Sequence, residues 1–502
     1  MLDTTRLRNP QLFEKIVSAE KAADFILDGM NVGVAGFTPS GYPKKTALAL
    51  SAAIKAGRKC RINLWSGASV GPEIEEALAD ADGIASRMPY YAASNKSLKK
   101  SINNNTVDYI DQHLSHLAQQ IDYGFYGMVD VAIVEAAAIT KDGDLVLGTG
   151  VGNLPMFVKH AKKIIVEVNT SIPLELEGMH DIYICEKPPT RREIPIYRVS
   201  DRIGGPYVKC GLDRIDCIVE SDIPDKVRNL TAPGETEIKI AENLVDFLQN
   251  EENHGRLPAK KLLPIQSGVG SIANAVLLGL KNSHFENLEM YSEILQDSVF
   301  DLIKSGKIAA ASGCAFTPSP KVMEMFRAEP ELYRKRMILR PLDISNSPEV
   351  IRRLGVISLN TPIEFDIYGQ ANSTHILGRE MMNGIGGSGD YMRNGYLTIF
   401  NSPSTGNNGK ISKIVPMVSH ADHTEHDTMV FITEQGIADV RGLSPLKRAK
   451  CIIEQCAHPA YRDELMEYLM NSRASFPGHE PVDLTKAFFM HERFITTGTM
   501  QR

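Results

Sequence analysis

Two glycine-rich segments have the composition of loops that bind anionic groups. The first is SGVGSIANAVLLGL, residues 267–280, in which a Gly-x-Gly turn opens an apolar helical pattern. The second is NGIGGSGDY, residues 383–391. Such turns direct backbone N–H groups toward a phosphate or toward a developing oxyanion. Because Gly-x-Gly is also a common structural turn, the pattern alone leaves both interpretations open.

Glu293 is a carboxylate at the point where an apolar run leads into a predicted helix. It lies in EMYSEILQD, residues 289–297, and the apolar positions that follow fit one buried helical stripe. Ser292 has the residue type of an N-cap, which makes Glu293 the first helical residue, where the helix dipole favours a negative charge. The local pattern therefore favours a surface glutamate that stabilises the start of a helix.

The segment HADHTEHD, residues 420–427, combines histidines with acidic residues and so raises the question of a metal site. On a helix, residues three apart would face the same side and could bind one metal ion together. The alternative is a hydrogen-bond network that is structural or borders a site, and we favour it and predict no metal. The candidate side chains are His420, Asp422, His423, Glu425, His426 and Asp427.

The cysteines lack a CxxC pair and any metal-ligand spacing, and their number is odd. Reduced, mostly buried thiols in a cytoplasmic protein fit this pattern best. Cys314, in ASGCAF, is interpreted as a core residue and not as a nucleophile. The complete set is Cys60, Cys185, Cys210, Cys217, Cys314, Cys451 and Cys456.

Short β-branched runs, each followed by glycine or proline and then a helical pattern, predict the elements that position these residues. Such runs indicate βαβ units and a mainly parallel sheet, with ligands at the carboxyl ends of the strands. GFTPSGYPK, residues 36–44, follows the first run, and Lys44 and Lys45 are predicted to be available for anionic groups. The runs are 31–37, 129–136, 163–169, 307–312 and 429–434.

Composition restricts the class of protein. The 502 residues are 43% hydrophobic and 23% charged, which is ordinary for a globular protein of two or three domains. A net charge of −6 argues against a nucleic-acid binder. The start of the sequence lacks the apolar region of a signal peptide, and no apolar run approaches the roughly 18–20 residues of a membrane span. We expect a cytoplasmic protein that does not bind membranes.

Seven segments, taken together, resemble the acetyl-CoA hydrolase/transferase family, the long-chain branch of the class I CoA-transferases. The resemblance spans nearly the whole chain and is strongest to members that use succinate with acetate or propionate. The segments, in chain order, are GFTPSGYPK, SGVGSIANAV, EMYSEILQD, DIYGQANSTH, NGIGGSGDY, HADHTEHD and ITEQGIADVRG.

The resemblance implies two tandem open α/β domains of the CoA-transferase type with mainly parallel sheets and an active site between them. A polar, proline-containing stretch at 220–248 separates two βα-rich halves. We therefore predict an N-terminal domain at 1–222 and a C-terminal domain at 223–502 that carries the nucleophile. The family also implies a homodimer, which uses coenzyme A as a substrate and binds no permanent cofactor.

The resemblance also implies roles for individual residues. Glu293 matches the family's nucleophile, which replaces the capping interpretation. Glu434 matches a second carboxylate that orients the site, and a buried salt bridge to Arg441 is the structural alternative. Asn346 matches a residue that seats CoA or its thioester carbonyl. The amide of Gly387 is the predicted oxyanion donor, with the amide of Val269 as its companion.

Further residues match positions that hold coenzyme A. At Asn407 and its neighbour Asn408, many relatives have a lysine that faces the CoA phosphates. Asn407 cannot supply this positive charge, and Lys410 is the candidate to replace it. The predicted CoA-binding residues are Gly268, Val269, Gly270, Ser271, Ile272, Asn383, Gly387 and Asn407.

The favoured function is transfer of CoA from an acyl-CoA to acetate, propionate or succinate by a ping-pong mechanism through a glutamyl-CoA thioester. The alternative is an acyl-CoA hydrolase, in which water attacks this glutamyl intermediate. A non-enzymatic sensor of CoA or of a sugar phosphate on the same fold is disfavoured, because a sensor does not need the nucleophile Glu293.

Overall fold

The computed structural model of the protein describes residues 2–227 and 232–502. The chain divides into two compact units. Unit 1 comprises Met1–Asn229 and Met290–Leu354, and unit 2 comprises Leu230–Glu289 and Gly355–Arg502. The segment that carries Glu293 thus belongs to the same compact unit as the N-terminal half of the chain. The division into domains at residues 222 and 223 stays a prediction.

The main sheet of unit 1 is entirely parallel, as the alternation of strand and helix patterns predicts. Its order reverses at Asn31–Val34, which pairs with Ile62–Trp65 on one side and with Val129–Ala136 on the other. In spatial order the strands are Ile16–Val17, Cys217–Ser221, Ala161–Asn169, Val129–Ala136, Asn31–Val34, Ile62–Trp65, Ile84–Met88 and Asp108–Tyr109.

Helices connect these strands, and short strands complete unit 1. The helices are Ala19–Ala23, Lys45–Lys55, Glu75–Asp80, Lys96–Asn103, Leu114–Tyr123, Leu154–His160, Asp297–Lys304, Pro320–Ala328, Pro330–Arg336, Leu342–Ser345 and Pro348–Leu354. The 3₁₀ turns are Pro10–Lys15, Leu174–Leu176 and Leu212–Arg214. The remaining strand pairs are Ala138–Ile139 with Leu145–Val146, Ile294–Leu295 with Ala315–Phe316, and Ile308–Gly313 with Met337–Leu339.

Unit 2 contains a second set of mainly parallel strands with helices around them. In order of pairing they are Ile265–Ser267, Ile357–Asn360, Leu397–Asn401, Val430–Thr433 and the antiparallel Gly436–Asp439. The strand Leu288–Tyr291 carries the chain from unit 2 into unit 1. The helices are Glu235–Asn253, Ser271–Asn282, Ser388–Met392, Pro445–Cys456, Pro459–Ser475 and Phe489–Thr497.

Short strands near the ends of these elements form hairpins and small sheets in unit 2. They are Glu364–Asp366, Ala371–Asn372 and Ile414–Val415 in one sheet, and the pairs His375–Ile376 with Glu380–Met381 and Thr405–Gly406 with Ile411–Ser412. Beneath them the rings of Phe365 and Phe431 stack with centroids 4.5 Å apart, inside the apolar core of this unit. The mixed α/β architecture and all five predicted β-branched strands are confirmed.

The start of the helix predicted at Glu293 is wrong. Ile294–Leu295 is a strand that pairs with Ala315–Phe316, and the helix begins at Asp297. The carbonyl of Glu293 accepts hydrogen bonds from the N–H groups of Cys314 and Ala315, and a helix would need that carbonyl for its own ladder. The tertiary pairing therefore overrides the local helical pattern.

Within the described residues, no helix combines the length and the apolar composition that a transmembrane span requires.

Candidate active site

The backbone of Glu293 is fixed by two hydrogen bonds from a neighbouring strand. Its carbonyl oxygen lies 2.7 Å from the nitrogen of Cys314 and 3.2 Å from that of Ala315. The preceding residue, Ser292, is fully buried, and its N–H donates to Ser312 at 2.9 Å. Glu293 itself is half-buried, so a rigid main chain presents a carboxylate that solvent can still reach.

Asn346 holds the side chain of Glu293. Its Nδ2 donates to Oε1 of Glu293 at 2.6 Å. Asn346 is fully buried and caps the short helix Leu342–Ser345, where its own N–H donates to the carbonyl of Leu342 at 2.8 Å. A hydrogen bond to an ionised carboxylate is shorter and stronger than one to a neutral acceptor. The contact therefore orients the carboxylate.

Two bonds from other parts of unit 1 hold the helix that carries Asn346. The N–H of Leu342 donates to Gly152 at 3.1 Å, and the hydroxyl of Tyr291 donates to Ile344 at 2.5 Å. Tyr291 lies only two residues before Glu293, so the strand that leads to Glu293 and the helix that Asn346 caps are tied together directly. The tyrosine is fully buried, and sequence reasoning did not identify it because no local pattern relates residues 291 and 344.

Apolar side chains surround the main chain next to Glu293. The prediction that Cys314 is a core residue agrees with its position, because it is fully buried and burial raises the pKa of its thiol far above the usual range. A protonated thiol is a poor nucleophile. The members of this cluster are Phe37, Ala68, Leu114, Ile294, Cys314, Ala315 and Leu342, with Tyr90 packed against them.

In unit 2 the Gly-x-Gly turn connects the strand Ile265–Ser267 to the helix Ser271–Asn282. Gly270 is the N-cap residue and has φ +115°, a conformation that residues with a side chain rarely adopt. The N-cap residue is a glycine and so contributes no side chain to the cap, while the hydroxyl of Ser271, the first helical residue, donates to Oε1 of Glu237 at 3.2 Å. Val269, between the two glycines, exposes its apolar side chain. A glycine turn that opens a helix in this way can present backbone N–H groups to a phosphate or an oxyanion.

The loop NGIGGSGDY turns sharply before the helix Ser388–Met392. Gly386 has φ +61°, and Gly387, the N-cap residue of the helix, is buried. Nδ2 of Asn383 donates to the carbonyl of Ser373 and to that of Gly384, both at 3.0 Å. The amide hydrogens of Asn383 therefore hold the loop together.

Asn407 and Asn408 lie at the tip of an exposed hairpin. Both adopt positive φ values, +50° and +53°, which asparagine tolerates better than most residues. Lys410 follows them, and its side chain is exposed while its carbonyl accepts a bond from Met500 at 2.7 Å. The backbone position of this lysine is therefore fixed, and its ammonium group points into solvent.

The carboxylate of Glu434 binds a serine of the loop that precedes this hairpin. The N–H of Ser404 donates to it at 2.8 Å, and the hydroxyl of Ser404 donates to its other oxygen. The alternative of a salt bridge to Arg441 is wrong, because that guanidinium binds Glu251 at 2.8 Å and Asp439 at 2.6 Å. Glu434 thus supports the loop that ends in Asn407, and Ser404 is a contact that no sequence spacing indicated.

The prediction that Lys44 is available for anionic groups is wrong. Its side chain is completely buried, and Nζ lies 2.6 Å from Oε1 of Glu135 and 2.8 Å from Oδ1 of Asp225. Burial opposes its charge, but the two carboxylates outweigh that effect and keep the pKa of Lys44 above its usual range. Lys45 remains half-exposed and lies 3.1 Å from Asp222.

The residues of HADHTEHD make local hydrogen bonds. Within the described parts of the chain, no three His, Cys, Asp or Glu side chains come together in a way that could hold a metal ion. His420 lies 3.3 Å from Asp422 and stacks on the ring of His375 at 3.9 Å, while His426 faces solvent. His423 is fully buried and contacts Ser388.

The predicted site residues fall into two groups. In unit 1 the structure brings Glu293 and Asn346 into direct contact. The remaining predicted residues belong to unit 2, and they are Gly268, Val269, Gly270, Ser271, Ile272, Asn383, Gly387, Asn407 and Glu434. Their roles in catalysis and in CoA binding stay predictions.

Two family models cover most of the chain. The N-terminal domain of acetyl-CoA hydrolase/transferase matches residues 2–226, and the C-terminal domain of the same family matches residues 324–469.

Curated relatives match the chain over nearly its whole length. The chain is 51% identical over 497 residues to a succinyl-CoA:acetate CoA-transferase of Clostridium kluyveri, covering 99% of this chain and 92% of the relative. It is 45% identical to a propanoyl-CoA:succinate CoA transferase of Escherichia coli, covering 96% and 98% of the two chains. It is also 43% identical to an acetyl-CoA hydrolase of Schizosaccharomyces pombe, covering 99% and 98%.

Solved structures share the fold. RipA from Yersinia pestis superimposes with a TM-score of 0.71 at 21% identity, over 91% of this chain and 97% of that one. A 4-hydroxybutyrate CoA-transferase from Porphyromonas gingivalis does so with a TM-score of 0.62 at 20% identity, over 91% and 98%.

With relatives above 40% identity over the full length and both family models matched, the chain is an enzyme that belongs to the acetyl-CoA hydrolase/transferase family.

Proposed function

We propose that the protein transfers CoA between an acyl-CoA and a small carboxylate through a covalent intermediate on Glu293. The observation that carries the proposal is the 2.6 Å hydrogen bond from Asn346 to a half-buried carboxylate whose backbone is also fixed. A nucleophile must be held at a defined angle to the carbonyl that it attacks. A residue that only caps a helix does not need a buried amide dedicated to one of its oxygens.

The first half of the reaction loads CoA onto the protein. A carboxylate oxygen of Glu293 attacks the acyl-CoA carbonyl, the C–S bond breaks, and a mixed anhydride and CoA thiolate result. The thiolate then attacks the glutamyl carbonyl carbon of the anhydride, forms a glutamyl-CoA thioester and expels the first acid as its carboxylate. No proton has to be taken up or released in these steps, because each leaving group is an anion.

The second half returns CoA to a new acid. The acceptor carboxylate attacks the glutamyl-CoA carbonyl and expels the thiolate, and the thiolate attacks the acyl carbonyl of the new anhydride. Glu293 leaves as a carboxylate, and the new acyl-CoA departs. The thioester energy is conserved only while water does not reach the intermediates.

Each attack produces a tetrahedral oxyanion that needs N–H donors. We assign this role to the amide of Gly387, with that of Val269 as its companion. The glycines of both turns support the assignment, with Gly386 and Gly387 in one and Gly268 and Gly270 around Val269 in the other, because glycine allows close approach of a ligand to the main chain. Loss of one oxyanion donor typically lowers the rate by about 10²–10³-fold.

Coenzyme A is a substrate in this scheme and no permanently bound cofactor is required. We assign its binding to residues 268–272 with Asn383, Gly387 and the Asn407 hairpin. Glu434 positions that hairpin through Ser404. Lys410 is the exposed cation nearest in sequence to Asn407 and is the proposed partner of a CoA phosphate. The proposal also includes a cytoplasmic homodimer, as the family resemblance implies.

Acetate, propionate and succinate are the proposed acids. The names of the relatives in Clostridium kluyveri and Escherichia coli combine succinate with acetate or with propionate, which supports this choice. The relative in Schizosaccharomyces pombe is named as a hydrolase, and hydrolysis of the same intermediate is the alternative function.

A product assay distinguishes the two functions. With acetyl-CoA as donor, we expect added succinate to yield succinyl-CoA much faster than free CoA appears. Double-reciprocal plots at several succinate concentrations should be parallel, as a ping-pong mechanism requires. Release of free CoA at one rate with and without acetate, propionate or succinate, and with no new thioester, would establish the hydrolase instead.

A trapping experiment tests the nucleophile. Incubation with acetyl-CoA followed by borohydride should reduce the glutamyl thioester, and peptide mass spectrometry should locate the change at Glu293. Glu293→Ala should abolish both transfer and labelling, whereas Glu289→Ala, a change in the same short stretch, should preserve both. Near-normal turnover of Glu293→Ala would refute the assignment.

A further inference from the structure

The segment HADHTEHD lies against the loop that contains Gly387. His423 contacts the loop at Ser388, and Asp422 binds Ser373, which in turn contacts the loop at Asn383. In the described part of the chain, no cluster of side chains could hold a metal ion, so metal binding does not explain the placement of His423 and Asp422. Neither of them belongs to the proposed reacting groups. Both contacts lie within unit 2.

His423 is rigidly placed on the protein side of this contact. It is fully buried, and its backbone exchanges two hydrogen bonds with Ala371, at 2.9 and 3.0 Å. The imidazole meets the ring of Phe400 edge-on, with centroids 5.1 Å apart. The position and plane of the ring are thus determined before it makes any contact with the loop.

The ring of His423 reaches the residue that follows Gly387. Its Nε2 lies 3.1 Å from Oγ of Ser388, and the same hydroxyl donates to the carbonyl of Ile385 at 2.9 Å. We assign Nε2 of His423 as the donor of this contact, because the single hydrogen of the Ser388 hydroxyl then satisfies the carbonyl of Ile385. The chain from His423 through Ser388 to Ile385 therefore spans the turn that contains Gly386 and Gly387.

Asp422 holds the other side of the loop. Its carboxylate accepts from the N–H of Ser373 at 2.6 Å and from the hydroxyl of Thr374 at 2.9 Å. The carbonyl of Ser373 in turn accepts from Nδ2 of Asn383, at the start of the loop, at 3.0 Å. Adjacent residues of one segment thus hold the loop at Asn383 and at Ser388.

We propose that His423 is a positioning residue, which fixes the direction of the Gly387 amide by holding the hydroxyl of Ser388. This inference rests on the proposed function, in which that amide stabilises the oxyanion. The transition state is sensitive to donor geometry, since oxyanion donors contribute only when they point at the position that the charged oxygen will occupy. The proposed CoA contacts at residues 268–272 and at the Asn407 hairpin do not involve His423, so ground-state binding should depend on it less than the transition state does.

The test compares two substitutions of the histidine. His423→Phe keeps the ring and its packing but removes the donor, and His423→Gln places an amide N–H close to the position of Nε2. With acetyl-CoA and succinate, we expect His423→Phe to lower kcat about 10–100-fold, less than complete loss of an oxyanion donor, with KM for acetyl-CoA within about threefold of wild type. His423→Gln should recover most of kcat. His426→Phe, at an exposed histidine of the same segment, is the matched control and should behave as wild type.

Ser388→Ala tests the same link from the loop side, which also covers the case that His423→Phe does not fold. It should show the same loss of kcat, and the double variant should be no slower than the slower single variant, because both remove one chain of contacts. Three outcomes would overturn the proposal. They are additive losses of kcat in the double variant, equal kcat for His423→Gln and His423→Phe, and an unchanged kcat in both Ser388→Ala and His423→Phe.

The trapping experiment separates this proposal from the function on which it rests. If wild type yields no adduct at Glu293, the proposed function itself fails. If wild type yields the adduct and His423→Phe turns over normally, only the positioning role fails. We expect His423→Phe to form the adduct at Glu293, but more slowly than wild type.

Discussion

The glycine-containing turns of the two units have the same place in the fold but different surroundings. In unit 1, residues 36–44 follow the strand Asn31–Val34 and open the helix Lys45–Lys55. In unit 2, residues 268–270 follow the strand Ile265–Ser267 and open the helix Ser271–Asn282. Both are turns of the kind that binds anions in open α/β sheets.

The turn of unit 1 is occupied by a carboxylate of the protein itself. Glu167, in the strand Ala161–Asn169, accepts from the N–H groups of Lys44, Lys45 and Thr46 at 2.7, 3.0 and 2.6 Å. These are the groups that would otherwise receive a phosphate. Because Glu167 is fully buried, this helix start is not available to a ligand.

The two turns show that a strand, a glycine turn and a helix do not by themselves make a ligand site. The two turns differ in what is known to contact them. In unit 1 Glu167 accepts from the helix start, and Lys44 is neutralised by Glu135 and Asp225. In unit 2 the N-cap residue Gly270 has no side chain, and Val269 within the turn is exposed. The following predictions test whether the first turn serves stability and the second serves binding.

The largest effect is expected from Lys44→Met. The substitution leaves Glu135 and Asp225 buried without their cation, and breaking a buried pair in this way costs about 3–5 kcal/mol. Urea unfolding followed by circular dichroism measures the change. Lys45→Met is the control and should change the free energy of unfolding by less than about 1 kcal/mol, because its partner Asp222 is exposed. Equal effects of the two substitutions would contradict the comparison.

Glu167→Gln should have the next largest effect. The amide keeps one oxygen acceptor but loses the charge, and charge-assisted hydrogen bonds contribute about 1.5–3 kcal/mol each against about 1 for neutral bonds, so we expect a loss of about 1–3 kcal/mol. The KM for acetyl-CoA should remain at its wild-type value. A raised KM with unchanged stability would place a ligand at the first turn and remove the distinction between the two.

Gly270→Ala should affect both stability and binding. A methyl group there meets no atom within 4 Å, so the cost is the backbone strain of a side chain at φ +115° and ψ −170°, about 1–3 kcal/mol. If the turn holds CoA, the same strain should raise the KM for acetyl-CoA severalfold. Gly268→Ala is the control for stability, since the nearest atom to its added carbon lies at an ordinary 3.9 Å. A large stability loss with unchanged KM would give the second turn the same structural role as the first.

The smallest effect is expected at the exposed hairpin of unit 2. Lys410→Met removes a solvent-exposed charge, so it should leave the melting temperature unchanged. An exposed ion pair contributes at most about 1 kcal/mol, so KM for acetyl-CoA should rise no more than about fivefold. Asn407→Lys, added to the Lys410→Met variant, should restore the KM for acetyl-CoA. No change in KM for either variant would remove this hairpin from the phosphate contacts.

Sequence reasoning succeeded where the signal was local or carried by long motifs. The β-branched strands were found because each run is short, apolar and followed by a turn. Glu293 and Asn346 were each assigned to the site only through the family resemblance. Their direct hydrogen bond was not predicted, since 53 positions separate them and no periodicity connects them. The helix predicted to start at Glu293 was wrong because its competitor is a strand 20 residues away, Ala315–Phe316.

The failure at Lys44 has a similar physical cause. Its partners Glu135 and Asp225 are 91 and 181 positions away, so the local sequence shows a lysine beside a glycine turn and nothing that neutralises it. The structural alternative for Glu434, a salt bridge to Arg441, failed for the same reason, because Arg441 is close in sequence but is bound by Glu251 from a distant helix. Charged residues near turns are therefore assigned safely only when their counter-ions are known.

The hydrogen bond from Asn346 makes the two oxygens of the Glu293 carboxylate inequivalent. In the proposed reaction one glutamate oxygen bridges the first anhydride and leaves with the released acid, and an oxygen of the acceptor takes its place in the second half. The oxygen held by Asn346 stays with the protein unless the carboxylate rotates. Over repeated turnovers with isotopically labelled acceptor, the enzyme would therefore acquire heavy oxygen at one position of a single side chain and keep the original atom at the other.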